Sequence, residues 1–285
     1  MEKINILNVA IDNLLETEVL AKLKSGVVFT PNVDHMIKLQ KDREFSKVYS
    51  IADYLLCDSQ ILMYASKFLG TPIKQKLSGS DFFPAFYNYH KNNDEVKIFL
   101  LGADKGVAQK AQNKINEKVG RNIVVGAHSP SYGFEKNEKE CMEIIEMIKR
   151  SEATVLAVGV GAPKQEKWIY KYKDQLPNIK IFLAIGATID FEADNIQRSP
   201  QWMSELGLEW LYRLSSEPQR LWKRYLIEDL PFFWLVLKQK FNLYNLPNND
   251  EQSYELGEKY SENKISKERV ARSKSVDKHR QPQTA

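Results

Sequence analysis

The sequence predicts an α/β fold, a mainly parallel sheet with helices on both faces, followed by a C-terminal helical appendage. Three observations carry this expectation. Short apolar runs recur up to Asp190, and almost all lead into a stretch of helical periodicity, the pattern of βαβ units. Two runs, KIFLLG (Lys97–Gly102) and TVLAVG (Thr154–Gly159), are nearly all apolar, as strands covered on both faces must be. After Asp190 the alternation stops, and tryptophan, leucine and arginine dominate.

Taken in order, Val27–Thr30 reads as a strand before a helix over Val33–Lys47. Tyr54–Cys57 precedes Gln60–Leu69, and Lys97–Gly102 precedes Lys105–Val119. Ile123–Gly126 is followed, after a loop, by Lys139–Arg150; Thr154–Gly159 is followed by Pro163–Leu176; Ile181–Gly186 is the last such run. Strands that alternate with helices in this way build a Rossmann-like sheet through right-handed crossovers. Beyond Asp190, Ser204–Tyr225 and Glu228–Leu243 read as two or three helices interrupted at Pro218 and Pro231. From Pro247 the chain is polar, with too few apolar residues to offset the entropy of ordering, and is expected to be disordered. The resulting division is 1–197, an α/β core; 198–246, a helical appendage; and 247–285, a disordered tail.

Composition narrows the function classes. The 43% hydrophobic and 27% charged content of the 285 residues is that of a globular chain large enough for one sizeable α/β domain. A net charge of +4 is too mild to argue for nucleic acid. Cys57 and Cys141 form neither a disulfide framework nor a zinc spacing, which places the chain in a reducing cytoplasm. The N-terminus carries Glu2, Lys3 and Asp12 and does not read as a signal peptide. No segment reaches the ~18 apolar residues of a membrane span, so membrane contact is expected to be peripheral.

Five places could carry chemistry. Thr30-Pro31-Asn32 ends a predicted strand, where ligands of open α/β sheets sit; its hydroxyl and amide could grip sugar hydroxyls, or the tripeptide could simply be a turn and helix start. Asp58 follows the run Tyr54–Cys57 and could be a general base, or the N-cap of the helix near Gln60. Gly159-Val-Gly161-Ala-Pro163-Lys164-Gln165-Glu166 joins strand to helix. Its glycines allow close backbone approach, its helix N-terminus favours a phosphate, and Gln165 and Glu166 could bind uracil, ribose or sugar hydroxyls. Gly102-Ala-Asp104-Lys105-Gly106 is a similar turn with fewer polar options. Asp190-Phe-Glu192-Ala-Asp194 has an acidic spacing that could hold a divalent metal bridging a diphosphate, or could be solvated loop carboxylates, since no histidine accompanies it; Asp190 is kept as a substrate-binding candidate rather than a metal ligand. Lastly, Gly207–Tyr225 sets Arg213, Arg220 and Arg224 among large apolar side chains. They could bind phosphates, or be a solvated arginine face over core tryptophans; Pro218 breaks any single helix carrying all three.

Together these strings resemble the bacterial WecG/TagA/CpsF family of glycosyltransferases. The matching motifs are TPNVD (Thr30–Asp34), LLCDS with Asp58, SGSDFF (Ser78–Phe83), IFLLGADKGVA (Ile98–Ala108), VGVGAPKQEKWI (Val158–Ile169), IGATIDF (Ile185–Phe191), RSPQW (Arg198–Trp202) and GLEWLYRLSSEPQRLWKRY. They span roughly residues 3 to 245, and the order PKQE, RSPQW, GLEWLYRL is the most specific part. The resemblance implies inverting transfer of an N-acetylmannosamine-type sugar from a UDP donor to undecaprenyl-diphosphate-linked N-acetylglucosamine. No metal or other cofactor is implied. Asp58 matches the family's general base, Thr30 and Asn32 the polar lining of its pocket, and Gln165 the donor side. Arg213, Arg220 and Arg224 match arginines of an appendage that grips diphosphate at the membrane.

Lys76 stands where the family has a pocket arginine, Ser59 where glycine follows the aspartate, and Ser199 where alanine is usual. Implied partners are the UDP-sugar, the lipid-linked diphosphate acceptor and the inner leaflet of the cytoplasmic membrane, with room for a homo-oligomer and none for nucleic acid. Alternatives are a hexose or N-acetylmannosamine-uronate transferase, an oxidoreductase on the same sheet, or a membrane scaffold. The oxidoreductase would need a glycine fingerprint that is not clear here.

Overall fold

The computed structural model describes residues 2–246, so the expected polar tail, 247–285, lies outside the described residues, as do the side chains of Gln201 and Arg220. The fold is that of the unit ending at Asn245; from the second unit, Leu246–Ala285, only Leu246 is described.

The chain opens with a hairpin, β1 (Lys3–Ile6) antiparallel to β2 (Val9–Asp12), then α1 (Glu16–Lys22). The main sheet follows as β3 (Gly26–Phe29), α2 (Val33–Lys41), α3 (Arg43–Tyr49), β4 (Tyr54–Leu55), α4 (Gln60–Leu69) and α5 (Gly79–Tyr89). It continues as β5 (Ile98–Gly102), α6 (Val107–Val119), β6 (Val124–His128), α7 (Glu138–Arg150), β7 (Val155–Gly159), α8 (Lys164–Tyr172), β8 (Ile181–Ala184) and α9 (Thr188–Glu192). The six strands lie in the order β4-β3-β8-β7-β5-β6, every neighbouring pair parallel. The loops after β4, β3 and β8 are therefore neighbours at one half of the carboxyl edge, where ligands of open α/β sheets bind.

Burial alternates along each strand between two separate cores. Phe99, Leu101, Leu156, Val158, Phe182 and Ala184 face one layer, built on α2, α3, α4, α7 and α8. Ile98, Leu100, Val155, Ala157, Ile181 and Leu183 face the other, built on α1, α5, α6 and α9. This period of two, with both faces apolar, is why KIFLLG and TVLAVG read as continuous hydrophobic runs. The expected α/β class, parallel sheet and helices on both faces are all present.

Two local differences have clear causes. The expected helix Val33–Lys47 is two helices, because Asp42 leaves helical geometry (φ −104°, ψ 98°) and its carboxylate caps the second one at Phe45 N–H. The N-terminal hairpin, which short alternating runs left unmarked, is tied to the sheet by Asp12. That carboxylate is 2% exposed and accepts from Leu55 N–H at 2.8 Å.

The segment after Arg198 forms α10 (Gln201–Glu205), α11 (Glu209–Ser216), α12 (Pro218–Lys223), a π-helical turn (Arg224–Glu228) and α13 (Pro231–Lys240). Pro218 and Pro231 both sit at the first helical position, where a missing N–H costs nothing. Helix α13 is divided between two environments. Phe232 and Val236 are buried in the first core, whereas Phe233 and Trp234 are exposed. Gln239 fastens the helix to the hairpin, accepting from Leu7 N–H at 2.8 Å and donating to the Asn5 carbonyl at 3.0 Å. Among the described residues no helix is long and apolar enough to cross a membrane.

Candidate active site at the carboxyl edge of the sheet

Asp58 is positioned by backbone hydrogen bonds on both sides. Its own N–H donates to the Pro31 carbonyl at 3.0 Å, and the Cys57 carbonyl accepts from Leu77 N–H at 2.7 Å. The loops after β3 and β4 are thereby locked together. The capping alternative for Asp58 does not hold: Ser59 is the N-cap of α4, its hydroxyl accepting from Ile61 N–H at 3.2 Å. The Asp58 carboxylate is left for other work. Burial and the nearby Glu209 push its pKa up to about 8, against the pull of Arg213 and Lys76.

Those charged neighbours line a cleft of about 690 Å³ between the core and α10–α11. Its walls carry Lys76, Asp81, Arg198, Ser204, Glu209 and Arg213. Lys76 Nζ donates to Ser204 Oγ at 2.7 Å and stands 4.0 Å from Glu209. Arg198 pairs with Asp81 and donates to Ser80 Oγ at 3.2 Å, its guanidinium over the Phe191 ring. Lys76, which stands where the resemblance implies an arginine, is thus an ammonium that reaches α10. Asp81, Arg198, Ser204 and Glu209 were not singled out from sequence, although SGSD and RSPQW carry two of them and GLEWLYRL carries Glu209.

The Gly159 loop is explained partly by packing. A Cβ on Gly159 would lie 2.6 Å from the Gly186 carbonyl oxygen, and one on Gly102 would lie 2.4 Å from that of Gly159. Gly161 has φ +82°, a left-handed conformation that suits glycine. Lys164 pairs with Glu135 at 3.4 Å and lies over the Tyr132 ring. Gln165 and Glu166 are 3% and 0% exposed, so neither presents an open hydrogen-bonding face. Burial raises the Glu166 pKa to about 7.

The acidic string beyond β8 disperses. Asp190 accepts from Asn195 at 2.9 Å, Glu192 from Tyr87 at 3.0 Å, and Asp194 pairs with Lys114. Burial, Asp104 and Glu217 raise the pKa of Asp190. Among the described residues, no three His, Cys, Asp or Glu side chains are grouped to hold a metal.

Thr30 is 7% exposed, and Asn32 caps α2 by accepting from His35 N–H at 3.3 Å. Both lie on the loop that holds Asp58, and neither lines the cleft itself. The three arginines do not share one environment. Arg213 lines the cleft; Arg224 lies against α2, 3.5 Å from Asp34 and 3.9 Å from Asp229. Arg220 belongs to α12, with its side chain outside the described residues.

A doubly covered parallel sheet with a carboxylate set beside a cleft lined by charged side chains of both signs suits group transfer to a hydroxyl, and sequence comparison fixes the group as a sugar: the protein is a glycosyltransferase. Residues 4–246 match the model of the Glycosyl transferase WecG/TagA/CpsF family, and the chain belongs to that family. It is similar to the N-acetylglucosaminyldiphosphoundecaprenol N-acetyl-beta-D-mannosaminyltransferase of Bacillus subtilis (strain 168), with 29% identity over 83% of this chain and 90% of the relative. The protein of the same name from Bacillus spizizenii (strain ATCC 23059 / NRRL B-14472 / W23) is 27% identical over 74% of this chain and 79% of its own length.

Proposed function

We propose that this protein transfers N-acetylmannosamine from UDP to the N-acetylglucosamine of a diphosphoundecaprenol-linked acceptor, with inversion at the anomeric carbon and without a metal. The observation that carries the reading is the place of Asp58, a half-buried residue that does not line the cleft itself but interacts with Lys76, Glu209 and Arg213, which do. The names of the two relatives support the same transferred sugar and acceptor.

In this reading Asp58 takes the proton of the acceptor hydroxyl. The hydroxyl oxygen forms its bond to the anomeric carbon as the bond from that carbon to the UDP oxygen breaks, and the electron pair leaves with the diphosphate. Lys76 and Arg213 face the charge that develops there, the kind of preorganised electrostatic contact that dominates such catalysis. Lysine supplies a point charge where arginine would supply a fork, so diphosphate geometry is set more by Arg213. Residues 198–246 act as the membrane-facing part. Trp222, Leu226, Ile227, Leu230, Phe233 and Trp234 are exposed there, apolar area suited to the lipid interface.

The test is incubation with a lipid-diphosphate N-acetylglucosamine acceptor and a panel of UDP-sugars. Consumption of UDP-N-acetylmannosamine with formation of a lipid-linked disaccharide is the expected result. Preference for the uronate or for a hexose overturns the donor assignment, and failure of every UDP-sugar overturns the reading.

A further inference from the structure

Glu166 lies in the first turn of α8 and is 0% exposed, so it cannot touch a substrate directly. Its partner is the adjacent side chain of Gln165, whose amide orientation is dictated by what surrounds it. The Gly186 backbone N–H can only donate, so the Gln165 atom 3.1 Å away is the oxygen. The amide nitrogen then faces Glu166, whose Oε1 accepts at 2.8 Å. The second Glu166 oxygen is buried with no hydrogen-bond partner. A carboxylate enclosed with half its accepting capacity unused lowers stability. Groups that break local rules in this way are characteristic of places where geometry is used.

The Gly186 turn leads directly into α9, which carries Asp190 and the cleft residue Phe191. The same turn presses its carbonyl against Gly159, which has no room for a Cβ. We propose that Glu166 is a positioning residue: by fixing the Gln165 amide it holds the Gly186 turn, and with it one wall of the cleft, in the geometry used for sugar transfer. The inference rests on the cleft being the transfer site.

Two substitutions separate this role from a purely structural one. Glu166→Met fills similar space and removes the acceptor; Glu166→Gln keeps a carbonyl oxygen facing the Gln165 amide. Glu166→Met is expected to lose about 10- to 100-fold in kcat, the order of loss produced by small displacements of reacting groups. Its melting temperature should hold or rise, because a desolvated carboxylate has gone. Glu166→Gln should recover most of the turnover. A Met variant with wild-type kcat overturns the proposal, and so does one whose activity loss merely follows a fall in melting temperature.

Hydrogen exchange of the Gln165 side-chain amide, followed by NMR, needs no turnover. Protection in the wild type that disappears in Glu166→Met supports the hydrogen bond as the fixing element. Equal exchange in both refutes it. If the wild-type protein transfers no sugar, the assigned reaction fails, and the exchange measurement still decides whether Glu166 fixes Gln165.

Discussion

Lys76 donates a hydrogen bond to Ser204 across 128 residues of sequence, Nζ to Oγ at 2.7 Å. That bond joins the core, close to Asp58, to the first of the helices that cover the cleft. The same lysine is 4.0 Å from Glu209, which raises the pKa of Asp58, while Lys76 and Arg213 lower it. The acidity of the candidate base is thus set jointly by the core and by its cover.

Replacement of Asp58 by Asn should abolish most turnover, on the order of 10²–10⁴-fold, as expected for loss of a general base. UDP affinity should stay near the wild-type value, and a UDP titration beside a turnover assay checks both. An Asn variant with wild-type turnover would remove Asp58 from the mechanism.

The pH dependence follows from the raised pKa. A base must be ionised, so kcat/KM should rise with pH and level off above about 8. Stability should move the other way. Between pH 4 and 8 the folded state retains a proton that the unfolded chain has released, so stability falls across that window. Asp58→Asn should therefore melt higher than the wild type, with a gap that widens up to about pH 8 and is constant beyond it. Parallel melting curves in that interval would contradict the shifted pKa.

Glu209 and Arg213 act on Asp58 with opposite signs. Glu209→Gln should move the acid limb of the pH–rate profile to lower pH, and Arg213→Ala should move it higher. Arg213→Ala should also lower kcat by about 10²-fold through loss of a cation facing the leaving diphosphate. Shifts in the same direction for both variants would show that the covering helix does not reach Asp58.

The C-terminal segment has two separable roles. Phe232→Ala removes a fully buried ring and should cost about 3–5 kcal/mol of stability. Replacing the exposed Phe233 and Trp234 together by Ser should change stability by less than about 1 kcal/mol and weaken binding to anionic vesicles. Denaturant unfolding and vesicle sedimentation on the two variants check the division. A chain ended near Gln197 mixes both effects, because it also strips Phe232 and Val236 from the core.

The sheet was legible because its strands are buried on both faces. Val155–Gly159 and Ile98–Gly102 announce themselves as apolar runs, and α4 begins and ends where its Ser59 cap and left-handed Gly70 place it. The β1–β2 hairpin was not legible, because two four-residue strands give too short an alternation and its anchor, Asp12 to Leu55 N–H, is a contact made at a distance. Asp58 could be found at a strand end, but whether it capped a helix depended on Ser59, and its neighbours Glu209 and Arg213 lie beyond residue 200. The arginines shared a motif without sharing a place. Pro218 starts a new helix and the following π-turn directs Arg224 to Asp34, so spacing along the chain does not translate into one face.

The most direct test of the central claim is the anomeric outcome of transfer from UDP-N-acetylmannosamine to diphosphoundecaprenol-linked N-acetylglucosamine in vesicles, read by NMR of the released disaccharide. Wild-type protein should give a β-linked product with one UDP released per linkage, and Asp58→Asn should give almost none. An α-linked product, or UDP release without a disaccharide, would contradict single-step inversion with Asp58 as the base.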